Sequence, residues 1–280
     1  MFSARWPIFE DYRIMAGLLS PAPKARPSDF YLPTERAELP SALAKLQRGD
    51  RAGVVEFASR YGLLGRSELT GLPTRRHRYG DPLEWIWSHG ETLGICLALK
   101  EMLDGRAAGR LENYLGTLTP SGAPHGDLPM PRLRFAARDK IVCTVFCARD
   151  IRPRANALET LASDVLTRIL NENIRHLYPV LTWNPERRRA QQQFGFTALV
   201  EVAYWHIAQA LQGGRVIRCA RPGCGGLFIQ TDRRQRFCPT GTKQESPCAV
   251  LERVQRYRGK LAEKGGRTHG TKRRQRSRHR

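Results

Sequence analysis

Four cysteines fall within thirty residues, as Cys219-x4-Cys224-x13-Cys238-x9-Cys248. They constrain the chain because a tetrahedral metal ion takes four soft ligands, and thiolates about 2.3 Å from zinc suit it. The alternative is four buried thiols with no metal. A basic segment of 66 residues (215–280) has little core of its own and needs a staple, which favours the metal. Four thiolates leave no open coordination position, so the ion, read as Zn²⁺, is structural rather than catalytic. No histidine lies between Cys219 and Cys248.

The redox setting supports metal over disulfide. No window supplies about 18 uninterrupted apolar residues, so no membrane span is expected. MFSARWPIFEDYR does not read as a secretory signal. A cytoplasmic, reduced chain is therefore expected, and its seven cysteines read as ligands or buried thiols.

Charge is concentrated in the same segment. Residues 215–280 hold 19 Lys+Arg against Asp232, Glu245, Glu252 and Glu263, a surplus of 15; residues 1–214 hold 28 against 22. A polyanion, most simply nucleic acid, is the partner such an excess suits. The composition break places a domain boundary near Gly214.

The local text predicts a knuckle, a hairpin and a helix. Cys219 and Cys224 flank a Pro-Gly turn. LFIQ is expected as a strand, DRRQ as a turn, and RF as the return to Cys238. Ser246-Pro247 then starts a helix near Cys248, whose positive end favours thiolate. This is a treble-clef-like order. On that helix Val250, Val254, Tyr257 and Leu261 share one narrow face, expected to pack. Arg253, Arg256, Lys260 and Lys264 share a neighbouring face, expected with Arg233, Arg234, Arg236 and Lys243 to contact nucleic acid. Residues 265–280, GGRTHGTKRRQRSRHR, are expected as a disordered basic tail that grips phosphates without reading sequence.

Upstream, residues 1–38 are Pro-rich and expected to be irregular, and 39–214 form a mostly helical domain. Asp50 caps a helix that Gly62 ends, with Val54, Phe57, Ala58 and Tyr61 inward. Asp81-Pro82 marks a second helix start, followed by Leu83, Ile86, Trp87, Leu93 and Leu97. Residues 107–115 continue the helical pattern and 116–131 read as a loop. Strands are expected within 132–148 and at 178–183, and helices over about 155–175 and over 196–211. The fold class is thus mainly α with short β segments (α+β), with the metal module at 215–264.

Other chemistry is weak. Cys96, Cys143 and Cys147 read as buried thiols, and His206 as a satisfied core histidine. His89 lies near Glu84 and Glu91 without HExxH spacing, and His125 beside Asp127 carries no pattern. Trp85, Trp87, Trp183 and Trp205 read as core packing. There is no Walker A loop, GxGxxG or GxSxG. No enzymatic activity is expected.

At CARPGCGGLFIQT, RRQRFC and the cysteine leading into a helix with RVQRYR, the sequence resembles the CGNR-type zinc-finger proteins. LQRGDRAGVVEFASRYGLLG, DPLEWIW and the apolar helix before the finger resemble that bacterial group's helical N-terminal domain. The resemblance implies a stress-induced transcription regulator, nucleoid-associated, whose zinc module binds DNA, with metal ligands at Cys219, Cys224, Cys238 and Cys248. It departs from the group at the fourth cysteine, where Ala249-Val250-Leu251 replaces Gly-Asn-Arg, and in the longer loop PTGTKQESP. Lys243 in that loop is placed to replace part of the lost charge. A protein partner or small effector would bind the helical domain. The alternative is a subunit of a nucleoprotein complex that holds RNA or a heteroduplex, as in a CRISPR-type effector.

Overall fold

The computed structural model describes residues 5–65, 80–105, 111, 119–120, 131–137, 140–146, 157–184, 188–239 and 246–268. The architecture is mixed α and β. Four short strands open the chain: β1 (Trp6–Phe9), β2 (Tyr12–Met15), β3 (Leu18–Pro21) and β4 (Pro27–Tyr31). A 3-10 turn (Pro33–Glu35), α1 (Leu39–Ala44) and α2 (Arg51–Tyr61) follow. After β5 (Asp81–Pro82) comes the long helix α3 (Leu83–Asp104). Then come β6 (Thr119–Pro120), β7 (Pro131–Ala137), β8 (Lys140–Phe146), α4 (Ala157–Asn173), β9 (Tyr178–Asn184), β10 (Arg189–Gly195) and α5 (Leu199–Leu211). The last elements are β11 (Arg215–Arg218), β12 (Leu227–Gln230) and α6 (Pro247–Thr268).

The first 38 residues depart from the irregular expectation. β1 pairs antiparallel with β4, with Pro7 opposite Phe30, while β2, β3 and β5 form a three-stranded sheet. Proline is tolerated because these strands are short and lie in small sheets with free edges. Trp6, Tyr12, Leu19 and Tyr31 are buried in the same core as the helices. The Trp6 indole donates to Leu63 O at 2.7 Å and the Tyr31 hydroxyl to Tyr61 O at 2.7 Å. The segment is therefore a layer of the body.

Helix boundaries follow local chemistry. The Asp50 carboxylate accepts from Gly53 N at 2.8 Å, as an N-cap should. Gly62 ends α2 at φ +84°, and a Cβ there would lie 2.5 Å from Pro7 O. Asp81, by contrast, does not cap α3. Pro82 takes the N-cap position, and the buried Asp81 carboxylate accepts from the amides of Leu64 and Gly65. A carboxylate seated on two amides fixes the chain leaving α2.

α3 is the central post, packing against α1, α4, α5, β11 and β12. Its buried residues include Leu83, Ile86, Trp87, Leu93, Cys96, Leu97 and Leu99. Val165, Ile169 and Leu170 of α4 are inward as expected. α5 starts where the Glu201 carboxylate accepts from Thr197 N, Thr197 Oγ1 and Ala198 N at 2.9–3.1 Å. His176 Nδ1 lies 3.0 Å from the same carboxylate.

β7 and β8 pair antiparallel where one or two short strands are expected. Thr119–Pro120 is a strand on β7, inside the expected loop. Pro131, the last residue of that loop, opens β7; residues 116–118 and 121–130, and 107–115 except Leu111, lie outside the described residues. β9 pairs with β10, whose Arg-Ala-Gln-Gln-Gln text gave no strand signal. Among the described residues, no helix is long and apolar enough to cross a membrane.

Candidate metal centre

The knuckle hangs on a two-stranded sheet. β11 pairs antiparallel with β12, Val216 opposite Ile229 and Arg218 opposite Leu227. This corrects the expected hairpin: LFIQ returns onto RVIR across the knuckle. Arg236-Phe237 forms no strand and is tied by Ala220 N donating to Arg236 O at 2.8 Å. The Cys219 amide donates to Gly226 O at 2.8 Å and closes the loop. Gly225 sits at φ +61°, a conformation that suits glycine. At Gly226 a Cβ would come 3.2 Å from Cys238 Sγ and 3.5 Å from Cys224 Sγ. Gly225 thus serves the turn and Gly226 the close approach of the backbone to the sulfurs.

Cys248 lies in the first turn of α6, where Val250 N donates to Ser246 O at 3.0 Å. The Sγ atoms of Cys219, Cys224, Cys238 and Cys248 all lie within 4.8 Å of one another. Cys224 Sγ is 3.7 Å from both Cys238 Sγ and Cys248 Sγ. A tetrahedral ion with bonds of about 2.3 Å spaces its ligands about 3.8 Å apart. The four thiols are free rather than disulfide-bonded. The quartet thus fits, and could hold, one metal ion.

The thiols differ in ionisation. Burial pushes Cys224 up, but hydrogen bonds from the Gly226 amide and the other three thiols outweigh it and bring it down to about 7. Burial pushes Cys238 up to about 12, against the pull of Lys45. Cys248 is also raised by burial, opposed by Arg221. Hydrogen bonds within the quartet therefore favour loss of the first proton at Cys224, and a cation bound there would favour loss of the rest.

Two cations flank the sulfurs, and the sequence alone did not single out either. Arg221 Nη1 lies 4.0 Å from Cys248 Sγ. Lys45, the C-cap of α1, brings its Cε to 3.2 Å from the Cβ position of Gly226. Arg221 was legible as a knuckle residue. Lys45 was not, because it arrives from a helix some 170 residues away in sequence. A divalent ion with four thiolates carries about −2, so these cations offset it.

The module also packs on the body. Val216 and Ile229 belong to the main core, whereas Cys219, Phe228, Cys238 and Cys248 form a small core of their own. Lys100 of α3 is buried, pairs with Asp104 and donates to Gly214 O at 3.1 Å. Asp104 Oδ2 accepts from Val216 N at 3.0 Å. Arg218 pairs with Glu101 at 3.7 Å.

The expected contact residues fall in two groups. Arg233, Arg234 and Arg236 are exposed on the turn after β12. Gln230 Nε2 donates to Arg233 O and Gln235 O, both at 3.1 Å, and Asp232 Oδ1 accepts from Arg234 N at 2.8 Å, so the backbone under these arginines is fixed. Arg253, Arg256 and Lys260 are exposed on α6, with Arg256 Nε 2.8 Å from Glu252. Lys264 lies on α6, and Lys243 lies outside the described residues. α6 runs to Thr268, so the first four residues of the expected tail are helical; 269–280 lie outside the described residues. The apolar face of α6 is a further correction: Val250, Val254, Tyr257 and Leu261 are exposed rather than packed.

The remaining candidates are structural. His206 Nε2 lies 3.0 Å from Pro33 O, and His89 Nδ1 lies 2.8 Å from Tyr204 Oη. Glu84 and Glu91 pair with Arg48 rather than with a metal. Trp87 is buried, and Trp85 and Trp205 pack partly buried against the core. Cys147, His125 and Asp127, and the side chains of Cys143 and Trp183, lie outside the described residues. Comparison with family models, curated proteins and solved structures finds no match for this chain.

Proposed function

We propose that this chain is a zinc-containing nucleic-acid-binding protein, a DNA-binding transcription regulator of the kind its resemblance to CGNR-type zinc-finger proteins implies. Convergence of four sulfurs at one point carries the reading. They root a turn bearing Arg233, Arg234 and Arg236 and a helix bearing Arg253, Arg256 and Lys260 in one unit. Zinc suits an all-thiolate tetrahedral donor set, and a filled set supports a structural role. The ion holds the cations in fixed positions, and phosphates then release counterions on binding.

Measurement of duplex binding against salt tests this. If about six phosphates are contacted, the log–log slope lies near −5. Arg253→Ala with Arg256→Ala weakens binding and flattens the slope by about two while the metal content stays the same. A double variant that binds unchanged overturns the α6 assignment. Copurified nucleic acid that RNase destroys and duplex DNA cannot replace overturns the DNA reading in favour of RNA.

A further inference from the structure

The exposed residues of α6 are spaced as a seam. Val250, Val254, Tyr257 and Leu261 are separated by steps of four, three and four, the alternation of d and a positions in a heptad. They are 39%, 39%, 64% and 51% exposed. A stripe this narrow matches the contact line of a two-helix coiled coil rather than the broader face a helix buries in a globular core. The stripe spans about three turns of a helix whose start is anchored beside the metal centre.

The flanking charges choose the occupant. In this register Arg253 and Lys260 take g positions, and Leu251 and Arg258 take e positions. Two parallel copies would set Arg253 against Arg258 of the other copy, and two antiparallel copies would set Arg253 or Lys260 against another cation. Neither arrangement supplies an acid, since Glu252 and Glu263 fall at f and c. With a net charge of +21, self-pairing is repelled. An acidic helix would meet a cation on both sides of the seam. Charge at e and g is how coiled coils select partners.

We propose that the Val250–Leu261 seam docks an amphipathic helix of another protein, apolar at a and d and rich in Glu or Asp at e and g. The surface stands on spacing, exposure and charge of α6 and does not depend on the nucleic-acid reading. It gives the chain a protein partner at its last helix, away from the body.

The test uses the full-length, metal-loaded chain without nucleic acid. The probe is a fluorescein-labelled synthetic helix of about four heptads with Leu at a and d and Glu at e and g, followed by anisotropy. Saturable binding is expected, about tenfold weaker for the same peptide with Lys in place of Glu, and about tenfold weaker for Val254→Asp with Leu261→Asp. These positions are exposed, so helicity and metal content are expected to be unchanged in that variant, and both are measured. Arg258→Glu with Lys260→Glu is expected to reverse the preference toward the Lys peptide. Equal binding of the two peptides, or an undiminished double variant, overturns the proposal. So does a dimer of the chain by sedimentation that Val254→Asp with Leu261→Asp dissolves, which would make a second copy the occupant. Loss by that variant of cosedimentation with phosphatidylglycerol vesicles, with no peptide binding, would make the occupant a membrane. Arg253 and Lys260 are shared with the proposed duplex contact, so duplex affinity is read with Arg256→Ala and with substitutions in the Arg233–Arg236 turn, which lie off the seam, and either reading can fail alone.

Discussion

The body and the C-terminal module hold themselves together by different means. Around α3 the body buries a continuous apolar core drawn from nearly every described helix and from the first strands. The module closes over Phe228 and three buried cysteines, with Cys224 and Phe237 at its edge. Burial at about 25 cal/mol per Å² sustains the first without help, while the second encloses too little apolar surface. The module lends Val216 and Ile229 to the body's core and uses sulfur for its own. A small fold of this kind is held on one side by docking, and on the other its four sulfurs converge where an ion could join them.

The comparison breaks most visibly if the ion is taken away. Chelation, or Cys238→Ser, is expected to open the segment beyond about residue 219 to protease, with nucleic-acid binding lost, because binding of a structural ion is folding free energy there. The body should keep its helical circular dichroism. A single cooperative melt that loses both regions together would erase the distinction. A smaller effect is expected at the joint. Asp104→Asn leaves Lys100 buried beside a neutral amide and should cost about 3 kcal/mol by denaturant titration, with the metal retained. Loss of metal from that variant would show that docking, and not ligation, holds the module.

The smallest effect separates the two by pH. Burial holds His206 below its ordinary value of 6.5, with the Pro33 carbonyl opposing the shift. A base depressed in the folded state takes up its proton more readily when unfolded, so stability is full above pH 6.5 and falls as the pH drops below it. His206→Gln, which keeps a donor for Pro33 O, should flatten the fall in Tm between about pH 7.5 and about pH 5.5. The body contributes this slope, so chelated and metal-loaded protein should show it alike. A slope that vanishes on chelation would assign it to the thiols.

Much of the site was legible because ligand spacing is local. The four cysteines, the helix start at Pro247 and the exposed arginines follow from residues close in sequence. The strand partner of LFIQ was misread because two short segments, RVIR and RF, both fit, and only docking on α3 favours the first. Amphipathicity in α6 showed that a face is apolar, not that the chain itself covers it. Asp81 reads as a cap from its neighbour Pro82, yet its partners, Leu64 and Gly65, lie 17 and 16 residues earlier in the chain. β10 was invisible because Gln191–Gln193 carry no alternation, and its strand character comes from pairing with β9. Pro7, Pro21 and Pro27 suggested irregular chain, although small sheets with free edges accept them.

The end of α1 reaches the sulfurs. Leu39 and Leu43 are fully buried in the body, and two residues further on Lys45 pulls electrostatically on the Cys238 thiol. A fragment cut at Arg215 would keep every ligand yet leave that counter-ion behind. The electrostatic tuning of the knuckle is therefore borrowed, and an excised finger is a different chemical object from the finger in place.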